Sequence, residues 1–267
     1  MDEALYTGSA PYYAAGRLPY PAEIAGVLRD GLGLDGRGRL LDVGCGPGSA
    51  TLLLAPLFES AVGVDADAGM IAEARRSGVD GVRWRQLRAE ELPAGLGTFR
   101  VATFAQSFHW MDRPLVARRV RDMLEPGGAW VHVEAMTHCS APGDGPLPHP
   151  EPPREAIDVL VKRYLGPVRR AGTGLLPQGT PSGEAEIMRA AGYTGPERLP
   201  VAGGVVHERS ADAVVASVFS LSWSAPHLFG ERVAGFERDL RALLRSASPS
   251  GRFAERTHDL ALLVWRP

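Results

Sequence analysis

A mostly parallel α/β sheet with helices on both faces is the fold this sequence predicts. Three observations carry that expectation: short apolar runs alternate with helical patterns as far as Met136, glycine turns close the runs, and the crossovers are about one helix long. With 267 residues, 45% of them apolar, the chain holds one large domain or one domain with a sizeable appendage, and it can bury a full core without staples.

Pro19 to Leu32 places Ile24, Val27 and Leu28 at helical spacing, which predicts a helix stopping near Gly31 and Gly33. Arg39 to Val43 is short, apolar and closed by glycines, hence a strand; Ser49 to Leu57 follows as a helix and Ala61 to Val64 as a second buried strand ending at Asp65. Further on, Ala68 to Ser77 reads as a helix, Val82 to Leu87 and Val101 to Ala105 as strands, Pro114 to Leu124 as a helix and Ala129 to Met136 as a strand. The turn Glu125-Pro126-Gly127-Gly128 is expected to separate those last two.

From Thr137 to Pro153 the pattern dissolves, with six prolines between Pro142 and Pro153, and predicts a surface linker or lid. Beyond it, Glu155 to Leu165, Ser182 to Ala191, Ala211 to Ser222 and Glu231 to Ser246 read as helices, with Thr180 before Pro181 as a helix start. Glu197 to Val206 and Leu260 to Trp265 read as the two late strands.

The charge balance excludes some classes of function. The chain carries 29 Lys and Arg against 31 Asp and Glu, a net charge of −2, so no overall basic field draws it to nucleic acid or acidic lipid. No stretch approaches the roughly 20 apolar residues of a membrane span, and Met1 to Pro11 lacks the basic and apolar regions of a leader. Cys45 and Cys139 are too few for a disulfide scaffold and lack zinc-site spacing, so a reducing, cytoplasmic location and no metal are expected.

The chemistry concentrates in Leu40-Leu41-Asp42-Val43-Gly44-Cys45-Gly46-Pro47-Gly48, a strand that runs into a glycine turn and then a helix. Glycines let a ligand approach the backbone closely, and a helix start offers free N–H groups. A tight turn needing positive φ is the plainer alternative. The spacing Gly-x-Gly-x-Gly differs from the Gly-x-Gly-x-x-Gly of dinucleotide binders. Asp65, ending the second strand, stands where an acidic side chain accepts from ribose hydroxyls, or else it caps the next helix.

Taken together, Val-Gly-Cys-Gly-Pro-Gly and Gly63-Val64-Asp65-Ala66-Asp67 followed by Met70 resemble motifs I and II of class I S-adenosylmethionine-dependent methyltransferases. The resemblance implies a Rossmann-like, seven-stranded, mostly parallel sheet with an antiparallel last strand and a helical cap. It further implies that Gly44, Gly46 and Gly48 line the methionine part of the cofactor, that Asp65 binds its ribose with Ala66 beside it, and that Met70 packs on adenine. Ala89-Glu90-Glu91-Leu92-Pro93 resembles the segment that places Ala89 and Glu90 near the adenine amino group, although Arg88 replaces a common Asp.

Two more segments resemble the trans-aconitate methyltransferase-like, type 11 branch. One is Ala105-Gln106-Ser107-Phe108-His109-Trp110, with Gln106 at the cofactor and Arg100 upstream in place of a usual Asp. The other is Tyr13-Ala14-Ala15-Gly16-Arg17-Leu18-Pro19-Tyr20-Pro21, in which Leu18 takes a proline position. In relatives that opening folds over the cofactor, so Tyr13 and Arg17 are expected to close the site, the arginine near a carboxylate. A loose arm with surface aromatics is the alternative.

His109 is the catalytic candidate, either as a general base or as a packed wall residue. His138 could face the acceptor cleft. Phe219, Trp223 and Phe229 either suit a small organic substrate or pack the cap. The expected organisation is residues 1–36 as a segment closing over the cofactor, 37–137 as the cofactor-binding core, 138–196 as linker and helical cap, and 197–267 as C-terminal strands with inserted cap helices. The expected function is methylation of a small organic acceptor at O, N or C in biosynthesis, by a monomer or homodimer. A non-methylating enzyme of the same fold, catalysing a cyclisation or rearrangement, and an RNA methyltransferase are the alternatives.

Overall fold

The computed structural model describes residues 5–143, 145–168, 170, 171, 174, 175 and 183–267. Strands β1 (Arg39–Val43), β2 (Ser60–Asp65), β3 (Val82–Gln86), β4 (Phe99–Ala105) and β5 (Leu124–Glu134) pair in parallel. Two two-residue strands, β6 (Arg170–Ala171) and β7 (Gly174–Leu175), form a separate pair. β8 (Thr194–Val201) and β11 (Leu260–Arg266) complete a seven-stranded sheet of order β3-β2-β1-β4-β5-β11-β8, in which β11 runs antiparallel to both neighbours. A ribbon of β9 (Val206–Ser210) and β10 (Arg252–Arg256) stands outside the sheet.

The pleat sends alternate side chains to two cores, which is why β1 is buried from Leu40 to Val43. Leu40, Ala61, Val101, Val131 and Leu262 meet α2 (Glu23–Leu32) through Ile24, Leu28 and Leu32. On the other face, Leu41, Val62, Phe104, Trp130 and Trp265 meet α5 (Arg113–Arg121) and α7 (Glu184–Ala190). The α7 residue Met188 is fully buried there, and the Tyr193 hydroxyl donates to the Ala117 carbonyl. This helix, expected within the cap insertion, therefore packs on the sheet.

A third core is the cap itself. It joins α6 (Arg154–Leu165), α8 (Ala211–Phe219), α9 (Pro226–Phe229) and α10 (Val233–Ala247) with Phe253 of the ribbon. Phe219 and Phe229 lie inside it, so these two aromatics pack the cap. The first helix, α1 (Ala10–Gly16), lies against α8 so closely that a Cβ on Gly16 would sit 2.5 Å from the Ala216 backbone. α3 (Ser49–Leu54) and α4 (Ala68–Arg75) follow β1 and β2.

Two expectations need correction. Glu125 to Gly128 does not separate a helix from a strand; it is carried within β5, with a register shift against β4 between Phe99 and Val101. The single late strand from Glu197 to Val206 is two strands, because the chain leaves the sheet at Ala202 and re-pairs with β10, which the sequence pattern did not reveal. α7 begins after Gly183 in the left-handed region, whereas the expected start at Thr180 and Pro181 lies outside the described residues. Among the described residues, no helix is long and apolar enough to cross a membrane.

Candidate cofactor and active site

β1 ends in the glycine turn, and the turn is tied to the end of β2. Gly44 and Cys45 donate their N–H groups to the Val64 carbonyl, and the Gly46 N–H donates to Asp65 Oδ2 at 2.9 Å. Asp65 Oδ1 accepts from the Asp67 N–H at 2.9 Å. The residue that caps α4 is Asp67, whose carboxylate accepts from the Gly69 and Met70 N–H groups, so the capping alternative for Asp65 does not hold. Asp65 is 8% exposed, and burial raises its pKa against the lowering effect of those two N–H donors.

Beneath the turn lies a buried polar trio, Asp42 with Thr51 and Thr103, that the motifs do not announce. Asp42 is fully buried and accepts from the Thr51 hydroxyl at 2.5 Å and the Thr103 hydroxyl at 2.9 Å, bracing β1 to α3 and β4. Desolvation pushes its pKa up to about 6, partly offset by those hydroxyls. The signal available in the sequence was an acid in the middle of an otherwise apolar strand.

Two cavities open at the turn. The larger, about 500 Å³, is lined by Tyr13, Arg17, Tyr20, Gly44, Gly46 and Ser49 among others. Gly46 has φ +54 and a Cβ there would meet open space, so this cradle is one that a side chain would fill. Arg17 donates through Nη2 to the Ser220 carbonyl at 2.8 Å and lies 4.8 Å from the Tyr13 ring, while its buried Nε has no partner among the described residues. A polar donor unused at a cavity wall fits an anionic ligand.

The smaller cavity, about 30 Å³, is bounded by Asp65, Met70, Gln106, Ser107 and Trp110, with Leu5, Tyr6 and Tyr13 filling the remaining side. Its walls offer the buried carboxylate and apolar face that a nucleoside needs. The space is close to that of a single water, whereas small-ligand pockets run to about 300 Å³ or more. Gln106 holds φ +57, unusual for a residue with a side chain, and donates through Nε2 to the Val133 carbonyl.

The other expected site residues lie elsewhere. Gly48 lines neither cavity, and Trp84 packs where its Cβ would stand. Ala66 is buried and its carbonyl accepts from Gln86. Ala89 is buried in the sheet core, and Glu90 is engaged by the Asp112 N–H and, through its carbonyl, by Arg119. His109 lines a third cavity of about 200 Å³ with Gln106, Ser107, His132, Glu134 and Glu184, and so does not meet Tyr13 or Arg17 in a common space. His132 accepts from Trp130 Nε1, and burial, with His109 second, lowers its pKa to about 3, which keeps it neutral. His138 lies edge-on to Trp223, their ring centroids 5.6 Å apart.

Leu18, the departure from the branch's proline, is explained. It is buried, and its N–H donates to the Thr137 carbonyl at 2.8 Å, a bond that proline has no hydrogen to make. Among the described residues, no group of three His, Cys, Asp or Glu side chains gathers to hold a metal.

Residues 40–128 match a family model described as a methyltransferase domain. The chain is 30% identical over 91 residues to a methyltransferase-named protein of Dictyostelium discoideum and 32% identical over 101 residues to the uncharacterized methyltransferase YcgJ of Bacillus subtilis strain 168. These matches span 34% and 36% of this chain but only 34% and 40% of the two relatives. A solved structure named as a type II methyltransferase from Anaeromyxobacter dehalogenans is 21% identical, with a TM-score of 0.53 over 93% of this chain and 96% of that one, a likeness of fold. The similarity to a methyltransferase domain thus lies in residues 40–128, the segment that carries the glycine turn and Asp65.

Proposed function

We propose that the protein transfers a methyl group from S-adenosylmethionine to an O, N or C atom of a small organic acceptor in a biosynthetic reaction, in the cytoplasm, as a monomer or homodimer. The observation that carries this reading is the coupling of Gly46 to the buried Asp65 beside a 500 Å³ cavity walled by Tyr13 and Arg17. When bound, the sulfonium supplies an electrophilic methyl group.

The chain's own residues supply holding, orientation and dryness. Asp65 keeps lone pairs beyond its two backbone donors and can accept from ribose hydroxyls. Met70 presents an apolar face, Arg17 Nε a donor for a carboxylate, and Tyr13 a ring that covers the turn. With the α1 segment and the cap in place, acceleration comes from positioning and exclusion of water. His109 acts in this reading as a wall residue, because it opens on a different cavity from Tyr13 and Arg17.

Calorimetry tests the cofactor: one equivalent of S-adenosylmethionine or of its demethylated product is expected to bind, and absence of heat with both overturns the reading. Mass spectrometry of the product tests the reaction, since methylation adds one CH2. An unchanged acceptor mass with a rearranged skeleton would instead assign the cyclisation alternative.

A further inference from the structure

The loop after β5 carries the second cysteine in unusual company. Cys139 Sγ donates to Met136 Sδ at 3.1 Å and lies 3.7 Å from His258 Nε2, so a thiol, a thioether and an imidazole converge from two segments 119 residues apart. Met136 is 48% exposed, one of the few large apolar side chains left in water. The backbone holding His258 is fixed: a Cβ on Gly203 would stand 2.3 Å from its carbonyl, and the Gly203 N–H donates to Asp259 Oδ1 at 2.7 Å. Cys139 also lines an open cavity of about 560 Å³ with Glu151, Glu155 and Glu255, the last of which pairs with both Arg154 and Arg209.

We propose that Met136, Cys139 and His258 form a binding site for a soft monovalent metal ion, Cu(I), separate from the methyl-transfer site. Two sulfur donors and one imidazole match the preference of Cu(I), whereas hard dications take oxygen ligands. The thioether completes the set, which explains why, among the described residues, no trio of His, Cys, Asp and Glu marks the place. On binding, the Cys139 S–H bond breaks and a sulfur–copper bond forms, and the proton passes to solvent. The thiolate balances the single positive charge, and no oxidant or reductant takes part.

The test is an anaerobic titration of the full chain against the coloured bicinchoninate complex of Cu(I). The wild-type protein is expected to withdraw one equivalent. Cys139→Ser is expected to abolish the withdrawal, and Met136→Leu and His258→Ala each to weaken it at least tenfold, with thermal unfolding unchanged in all three. Equal withdrawal by Cys139→Ser would overturn the site, because the remaining Cys45 or scattered histidines would then be the ligands. No withdrawal by the wild type, or no effect of both Met136→Leu and His258→Ala, would also overturn it.

Discussion

The Gly46 N–H donates to the Asp65 carboxylate across 2.9 Å, so the turn after β1 and the acid ending β2 form one unit before any ligand arrives. Losing the acid releases the turn and, in the proposed cofactor mode, also removes a ribose acceptor. Asp65→Ala is expected to weaken binding of demethylated cofactor by at least about 100-fold, at roughly 1.5–3 kcal/mol per charged hydrogen bond. Because burial raises the Asp65 pKa, the wild-type affinity should fall on acidification from a pH above the ordinary carboxylate range. Calorimetry across pH reads both effects.

Asp42 is a titration switch on stability. Its pKa rises from 3.8 to about 6 on folding, so the folded state binds more protons between those values. Its contribution is fully present below about pH 4 and is lost as pH rises through 6. In Asp42→Asn, the decline in unfolding free energy across that window should shrink by an amount on the order of 3 kcal/mol, read from urea melts at pH 4, 5, 6 and 7.

Tyr6 stands in the small cavity beside Asp65 and Trp110, its hydroxyl held above its usual range by burial first and Tyr13 second. In the proposed cofactor mode a nucleoside displaces this ring. Tyr6→Ala is expected to tighten binding of demethylated cofactor about tenfold, which is the scale of one aromatic side chain's burial. Weakened binding would instead give the ring a covering role.

Glu255 is 1% exposed and pairs with Arg154 at 2.5 Å and with Arg209 at 3.8 Å. Glu255→Ala leaves two guanidiniums facing each other without their anion, and should destabilise the fold by about 3–5 kcal/mol. Glu255→Gln, which keeps the shape, should cost less. Denaturant midpoints separate the two.

His109 opens on its own cavity with Glu134 and Glu184. His109→Gln is therefore expected to leave the shape of the kcat/KM pH profile unchanged; loss of a limb near neutral pH would instead make it a base.

The centre of the sheet was legible because β1, β2, β4 and β11 are buried on both faces and read as continuous apolar runs: β1 is observed with the expected ends, Arg39 and Val43. The glycine turn and Asp65 were legible because their chemistry is local. Pairings decided by distant partners were not. Nothing near Val206 announces that it leaves the sheet to pair with Arg256, and nothing near His109 shows which side of Ser107 it faces. Asp42 was visible as a residue but not as a buried acceptor, since its donors lie 9 and 61 positions away.

Arg209 donates through Nη2 to the carbonyls of Ala15, Gly16 and Ala213, and so fastens α1 and α8 with one side chain. The front of the chain and the far helices are thereby geared together, like two jaws on one rivet. An outward movement of Tyr13 and Arg17 that keeps these bonds carries the Ala213 to Ser220 stretch with it.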